Sequence, residues 1–172
     1  MRAIAVSDED AQRWSDASLA ATLLAIDPAG LGGACLRAAH GPVRDRWLAK
    51  LRAALPDPLR MRRVPAHISI DRLIGGLDLI ATLRAGRPVA QRGVLGEVDG
   101  GFAVMAMAER WPASTVALVT AALDTGTIAL ERSGIASRSD THFGVIALDE
   151  GCEDGEYPRA DKCVLADEAP LV

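Results

Sequence analysis

Apolar positions recur along this chain in two periods, and the alternation between them lays out its elements. From Ser7 to Ile26, Trp14, Ala17, Ala21, Leu24 and Ala25 fall at three- and four-residue spacing, which predicts a helix with one inward stripe. Ser7 or Asp8 stands where its cap belongs. Asp27–Gly33 interrupts the pattern with a proline and three glycines. Ala34–Ala38 then suits a short buried strand. After the turn His40-Gly41-Pro42, the stretch Val43–Leu55 returns to helical period, with Val43, Trp47, Leu51 and Ala54 predicted inward. Pro56 and Pro58 stop it.

The stretch from Leu59 to Ile70 reads as a short strand or extended connection. Asp78 is placed to cap a helix over "LIATLRA", and Gly86 to end it. Gly93–Gly101 suits one or two helical turns. Phe102–Ala106 is a continuous apolar run of strand length, the pattern of a strand covered on both faces. Ser114–Leu123 predicts a helix with Val116, Val119, Ala122 and Leu123 inward, closed by Gly126. Thr127–Arg138 reads as a hairpin turning at Ser133-Gly134, and His142–Leu148 as another buried strand. The acidic, glycine- and proline-containing stretch that follows reads as loop. Strands alternating with helices imply an α/β fold, a parallel sheet with helices on both faces. There is no internal repeat.

Composition narrows this picture. Of 172 residues, 49% are hydrophobic and only 3% aromatic, which favours helices packed on a sheet over a β-sandwich. With 19 basic and 23 acidic residues, the net charge of -4 excludes a polybasic nucleic-acid surface. The longest apolar run, Phe102–Ala108, is too short to span a bilayer. The first residues turn acidic without an apolar signal core. The expectation is a cytoplasmic protein with no membrane span and no nucleic-acid partner. Cys35, Cys152 and Cys163 lack C-x-x-C spacing and read as reduced structural thiols.

The candidate chemistry lies in Ala38–Asp45, "AAHGPVRD", between a predicted strand and a predicted helix. That is the setting of a phosphate loop, G-x-x-x-x-G-K-S/T, whose backbone N–H groups and lysine hold phosphates while the hydroxyl binds Mg²⁺. Here the glycine positions hold Ala38 and Val43, the lysine position Arg44, and the hydroxyl position Asp45. Val43 resists the positive φ that glycine adopts. Pro42 removes a donor, and Asp45 sets a negative charge where phosphate would sit. His40, Gly41, Arg44 and Asp45 are what remains for binding a nucleotide.

The partner motif, an apolar strand ending in Asp-Glu, matches "FAVMAMAE". Ala106 and Met107 stand at the acidic positions, with Glu109 beyond the strand end. Glu109-Arg110 reads as a solvated surface pair. At the end of the next strand, Asp149 and Glu150 replace a polar sensor. Two carboxylates there suit a metal or acid–base chemistry, or else a helix cap or solvated loop. His40 sits in the degraded loop, whereas His67 and His142 read as structural or surface residues. Trp111-Pro112 reads as a helix start.

Three blocks, "AIDPAGLGG", "LIGGLDLIATLRAGRPVAQRGVLGEVDGG" and "TVALVTAALDTGTIALERSGIASRSDTHF", together resemble magnesium chelatase, the enzyme that inserts Mg²⁺ into protoporphyrin IX, and within it the D-type subunit. The resemblance covers Leu19–Gly155. It implies an AAA+-like α/β core with a β-hairpin insert and degenerate Walker motifs, over residues 1–155, followed by a divergent tail, 156–172. It implies a non-hydrolysing scaffold working beside the ATP-hydrolysing I subunit and, through the complex, the porphyrin-binding H subunit, in (bacterio)chlorophyll biosynthesis. It assigns no catalytic and no metal residue, and makes ATP with Mg²⁺ doubtful on this chain. Two departures stand out. The linker and integrin-type domain of the D subunit are absent before Val172, and "EYPRADKCVLADEAPLV" does not match the family's arginine-bearing stretch. The alternatives are a nucleotide sensor that binds ATP without cleaving it, and a small metal-dependent enzyme working through Asp149, Glu150, Glu153 and Asp154. The hairpin at Thr127–Arg138 is the candidate contact for a partner or the porphyrin path.

Overall fold

A computed structural model describes residues 8–38, 40–57, 60–132 and 135–151. Four parallel strands form its main sheet in the order β1-β8-β5-β2: β1 is Gly33–Arg37, β2 Met61–Val64, β5 Phe102–Met105 and β8 Gly144–Asp149. The central pair, β5 and β8, is buried at every position, as its unbroken apolar sequence requires when both faces are covered. Among the described residues six α-helices accompany the strands: α1 (Asp8–Ile26), α2 (Pro42–Ala54), α3 (Ile70–Ile74), α4 (Leu79–Ala85), α5 (Val94–Glu97) and α6 (Ala113–Thr125).

The two faces of the sheet carry separate cores. On one, Ala21, Leu24 and Ala25 of α1 and Trp47 and Leu51 of α2 pack on Phe102, Val104, Ile146 and Leu148. On the other, Val119 and Ala122 of α6 join Leu73, Leu95, Ala103, Met105 and Val145. Alternate residues of β5 and β8 thus serve opposite faces, as the pleat dictates. Trp47 Nε1 donates to the Ala17 carbonyl at 2.7 Å, tying α2 to α1.

Several expected boundaries move by a residue or two. The first helix begins at Asp8, and Ser7 lies outside the described residues. The strand expected at His142 begins at Gly144 and runs on to Asp149. Asp78 caps α4 by accepting the Ala81 N–H at 2.8 Å, and Gly86 closes it with φ 61°. A small antiparallel pair, β3 (Gly75–Leu77) with β4 (Ala90–Arg92), frames α4, and nothing in the alternation of apolar residues had indicated it. The hairpin is β6 (Thr127–Arg132) with β7 (Ile135–Asp140). Its turn residues Ser133 and Gly134 lie outside the described residues, as do Cys152, Glu153, Asp154, Cys163 and the divergent tail.

One phase differs. In α2 the inward stripe is Arg44, Trp47 and Leu51, followed by Leu55, while Val43 and Ala54 face outward. The reason is rotational. At about 100° per residue the buried set centres near Leu51, and Val43 and Ala54 fall at its margin, about 80° and 60° round the helix from it.

Candidate functional site

The C-terminal ends of β1, β5 and β8 meet at one edge of the sheet, where ligands bind in open α/β folds. Three segments converge there: the degraded loop after β1, residues Ala106–Arg110 after β5, and Asp149-Glu150 at the end of β8. Strand register brings them together. Arg37 lies beside Asp149 across the β1–β8 pair, and the Ala38 N–H donates to the Asp149 carbonyl at 3.1 Å. The Ala106 N–H likewise extends the β2–β5 pairing, donating to the Val64 carbonyl at 3.2 Å.

What gathers at this edge is a set of internal ion pairs. Arg44, in the first turn of α2, is buried with its side chain 1% exposed, and its Nη1 meets Glu150 Oε1 at 2.7 Å. Arg37 Nε meets Asp149 Oδ2 at 3.1 Å, and the Asp149 side chain is only 4% exposed. The Gly151 N–H donates to Asp149 Oδ1 at 3.1 Å. Glu109 Oε2 accepts the Glu150 N–H at 3.3 Å, and Arg110 Nε lies 3.4 Å from the other Glu109 oxygen. Asp149 and Glu150 are therefore neither a helix cap nor a solvated loop. Glu109 is not part of a solvated pair either, since its side chain is 5% exposed and braces the chain after β8. Burial makes these pairings obligatory, because a lone buried charge costs several kcal/mol.

This arrangement does not fit a magnesium-bound triphosphate. The negative charge that Arg44 would take from a phosphate is already supplied by Glu150. Pro42 occupies the first turn of α2, and Asp45, exposed in that same turn, answers the helix dipole with its own carboxylate. His40 is exposed and Gly41 half-buried, so the four loop residues are adjacent, but only Arg44 enters the charge cluster. At the end of β5, Ala106 is buried, and its carbonyl accepts Trp111 Nε1 at 2.9 Å. Met107 holds a left-handed backbone with φ 51°. No carboxylate stands at either position to hold a metal shell or orient a water. Among the described residues no cluster of three or more His, Cys, Asp or Glu side chains is arranged to bind a metal. Chemically, the edge is a set of paired charges that ties three segments together.

Sequence reasoning selected Arg44, Glu109, Asp149 and Glu150 but missed Arg37 and the pairings. The helical spacing of Arg44 with Trp47 and Leu51 was the available signal.

No protein-family model matches the chain. The magnesium-chelatase 60 kDa subunit of Cereibacter sphaeroides is 44% identical over 143 residues, 83% of this chain and 22% of that protein. The 60 kDa subunit of Rhodobacter capsulatus is 36% identical over 137 residues, 80% of this chain and 21% of that protein. The chain is homologous to one part of the magnesium-chelatase 60/67 kDa subunits. The 67 kDa magnesium-chelatase subunit of Chlorobaculum tepidum extends the relationship at 31% identity over 140 residues, 81% of this chain and 22% of that protein. The chain thus spans about a fifth of the length of the magnesium-chelatase relatives it matches. A chain of the complex between subunits BchI and BchD of magnesium chelatase, known from single-particle cryo-EM, superposes with a TM-score of 0.64 at 20% identity, covering 84% of this chain and 54% of that one. The fold is accordingly the AAA+-like α/β core. Among the described residues, no helix is long and apolar enough to cross a membrane.

Proposed function

We propose that this chain is a non-hydrolysing AAA+-type scaffold module of a cytoplasmic magnesium–protoporphyrin chelatase, packing beside ATP-hydrolysing I-type subunits and, through them, serving a porphyrin-binding H-type subunit. Homology to the magnesium-chelatase 60/67 kDa subunits supports the assembly. The observation that carries the non-hydrolysing role is the 2.7 Å Arg44–Glu150 pair, which closes the phosphate-loop position with the chain's own carboxylate. A scaffold needs the loop's shape for packing and not its phosphate chemistry. The β6–β7 hairpin, anchored by buried Ile128 and Leu130 with Ala136–Asp140 exposed, is the surface assigned to partner contact.

The test is co-purification of an I-type subunit on the tagged chain with Mg²⁺ and ATP, paired with phosphate-release measurements. Retention of the I-type subunit, with hydrolysis following that subunit alone, is expected. Hydrolysis by the purified chain by itself would overturn the scaffold reading. Calorimetric titration of ATP-Mg²⁺ separates it from the nucleotide-sensor reading, which requires saturable binding to this chain.

A further inference from the structure

A groove of about 760 Å³ runs between the first half of α1, strand β1 and the start of α2. Trp14, Trp47 and Val43 give it an apolar floor, and Arg13, Arg37, Arg44 and Arg46 face or border it, against Asp10 as the one acidic lining residue among those described. Arg46 lies over the Trp14 ring at 5.2 Å. Glu9, Asp149 and Glu150 answer three of the arginines, yet the Nε and Nη2 of Arg44 have no hydrogen-bond partner among the described residues. Strand β1 is also an edge strand, hydrogen-bonded to β8 alone among the described strands. An open strand edge beside an apolar, cationic groove is a surface that proteins usually cover.

The chain leaves the sheet at the mouth of this groove. Asp149 and Glu150 hold two of the arginines, and after Gly151 comes a segment of opposite charge. Between Cys152 and Glu168 it carries Glu153, Asp154, Glu156, Asp161, Asp167 and Glu168 against Arg159 and Lys162. It also contains an apolar run, Cys163–Ala166. From charge complementarity and this point of departure we infer that the acidic segment Cys152–Glu168 of the same chain docks in the α1–β1–α2 groove, with its apolar run against the tryptophans and its carboxylates toward the arginines. The segment then covers the β1 edge.

The cysteines supply the test, because Cys35 lines the groove and Cys163 lies within the apolar run. In the full chain carrying Cys152→Ser, mild copper-phenanthroline oxidation followed by peptide mapping is expected to join Cys35 to Cys163 within one chain, at several times the yield found in urea. Arg13→Glu with Arg46→Glu is expected to reduce that yield severalfold, and raising the salt concentration to do the same. A native yield no higher than in urea overturns the inference. So does a link found only between two chains, or a yield unmoved by charge reversal in a variant whose circular dichroism remains native.

Discussion

Arg44 is the residue on which the site turns. Its guanidinium is held inside by the phase of α2, so its partner must come from the protein, and Glu150 provides it. Removing that carboxylate leaves a buried cation unpaired, a change that costs about 3–5 kcal/mol for a fully buried pair. Glu150 is 27% exposed, and water offsets part of the loss, so Glu150→Ala is expected to destabilise by about 2 kcal/mol. Arg44→Ala in the Glu150→Ala background should cost much less than Arg44→Ala alone. Urea denaturation of the four proteins of that cycle measures the coupling, and additive single effects would show that the pair contributes nothing. The solvated character expected for Glu109, Asp149 and Glu150 failed for one reason: solvation depends on what lies above a residue, and that is set by strands far away in the chain.

At the scale of elements, the sheet is fixed by how closely β1 approaches β8. Gly33 has φ 139°, and a Cβ built there would lie 1.8 Å from the Val145 carbonyl oxygen. Gly33→Ala is therefore expected to cost more than about 3 kcal/mol, by clash and backbone strain together. Gly32 also has positive φ, 72°, but open space around it, so Gly32→Ala should cost only about 1 kcal/mol. Thermal unfolding of both variants checks the contrast, and equal losses would show that the close approach does not matter. Helix α4 lies at the other extreme. It contributes no buried residue, and Leu79, Ile80 and Leu83 are 66–83% exposed. Its amides are expected to exchange with solvent through local opening long before those of β5 and β8. Hydrogen exchange followed by mass spectrometry reads this directly. Protection of α4 equal to that of the central strands in the isolated chain would contradict it. The elements themselves were largely legible. Asp78 and Gly86 marked the ends of α4, and the apolar runs marked β5 and β8. The three-residue strands β3 and β4 were not legible, because their pairing closes a loop around α4 and leaves no periodic trace.

For the whole molecule, two cores on opposite faces of one sheet build a parallel α/β frame, and the edge where ligands bind in open α/β folds is filled by the chain's own ion pairs. Catalysis would require a metal shell and an oriented water, and Ala106 and Met107 supply neither. Opening the loop should therefore not create activity: Glu150→Ala is expected to release phosphate from ATP no faster than the unmodified chain. A measurable gain would mean that Glu150 alone restrains an otherwise competent site.

The sequence by itself determined the order of the main helices and strands, the double burial of the central strands and the loss of the loop's lysine, hydroxyl and glycines. These are local or periodic properties, written in neighbouring residues. Only the tertiary structure decided which charges meet. Arg44 and Glu150 are 106 residues apart, and Arg37 and Asp149 are 112 apart. Parallel register and helix rotation bring each pair into contact, and neither is encoded at any single position. Burial then selects ion pairing, because an isolated charge at that edge is too costly to leave unanswered.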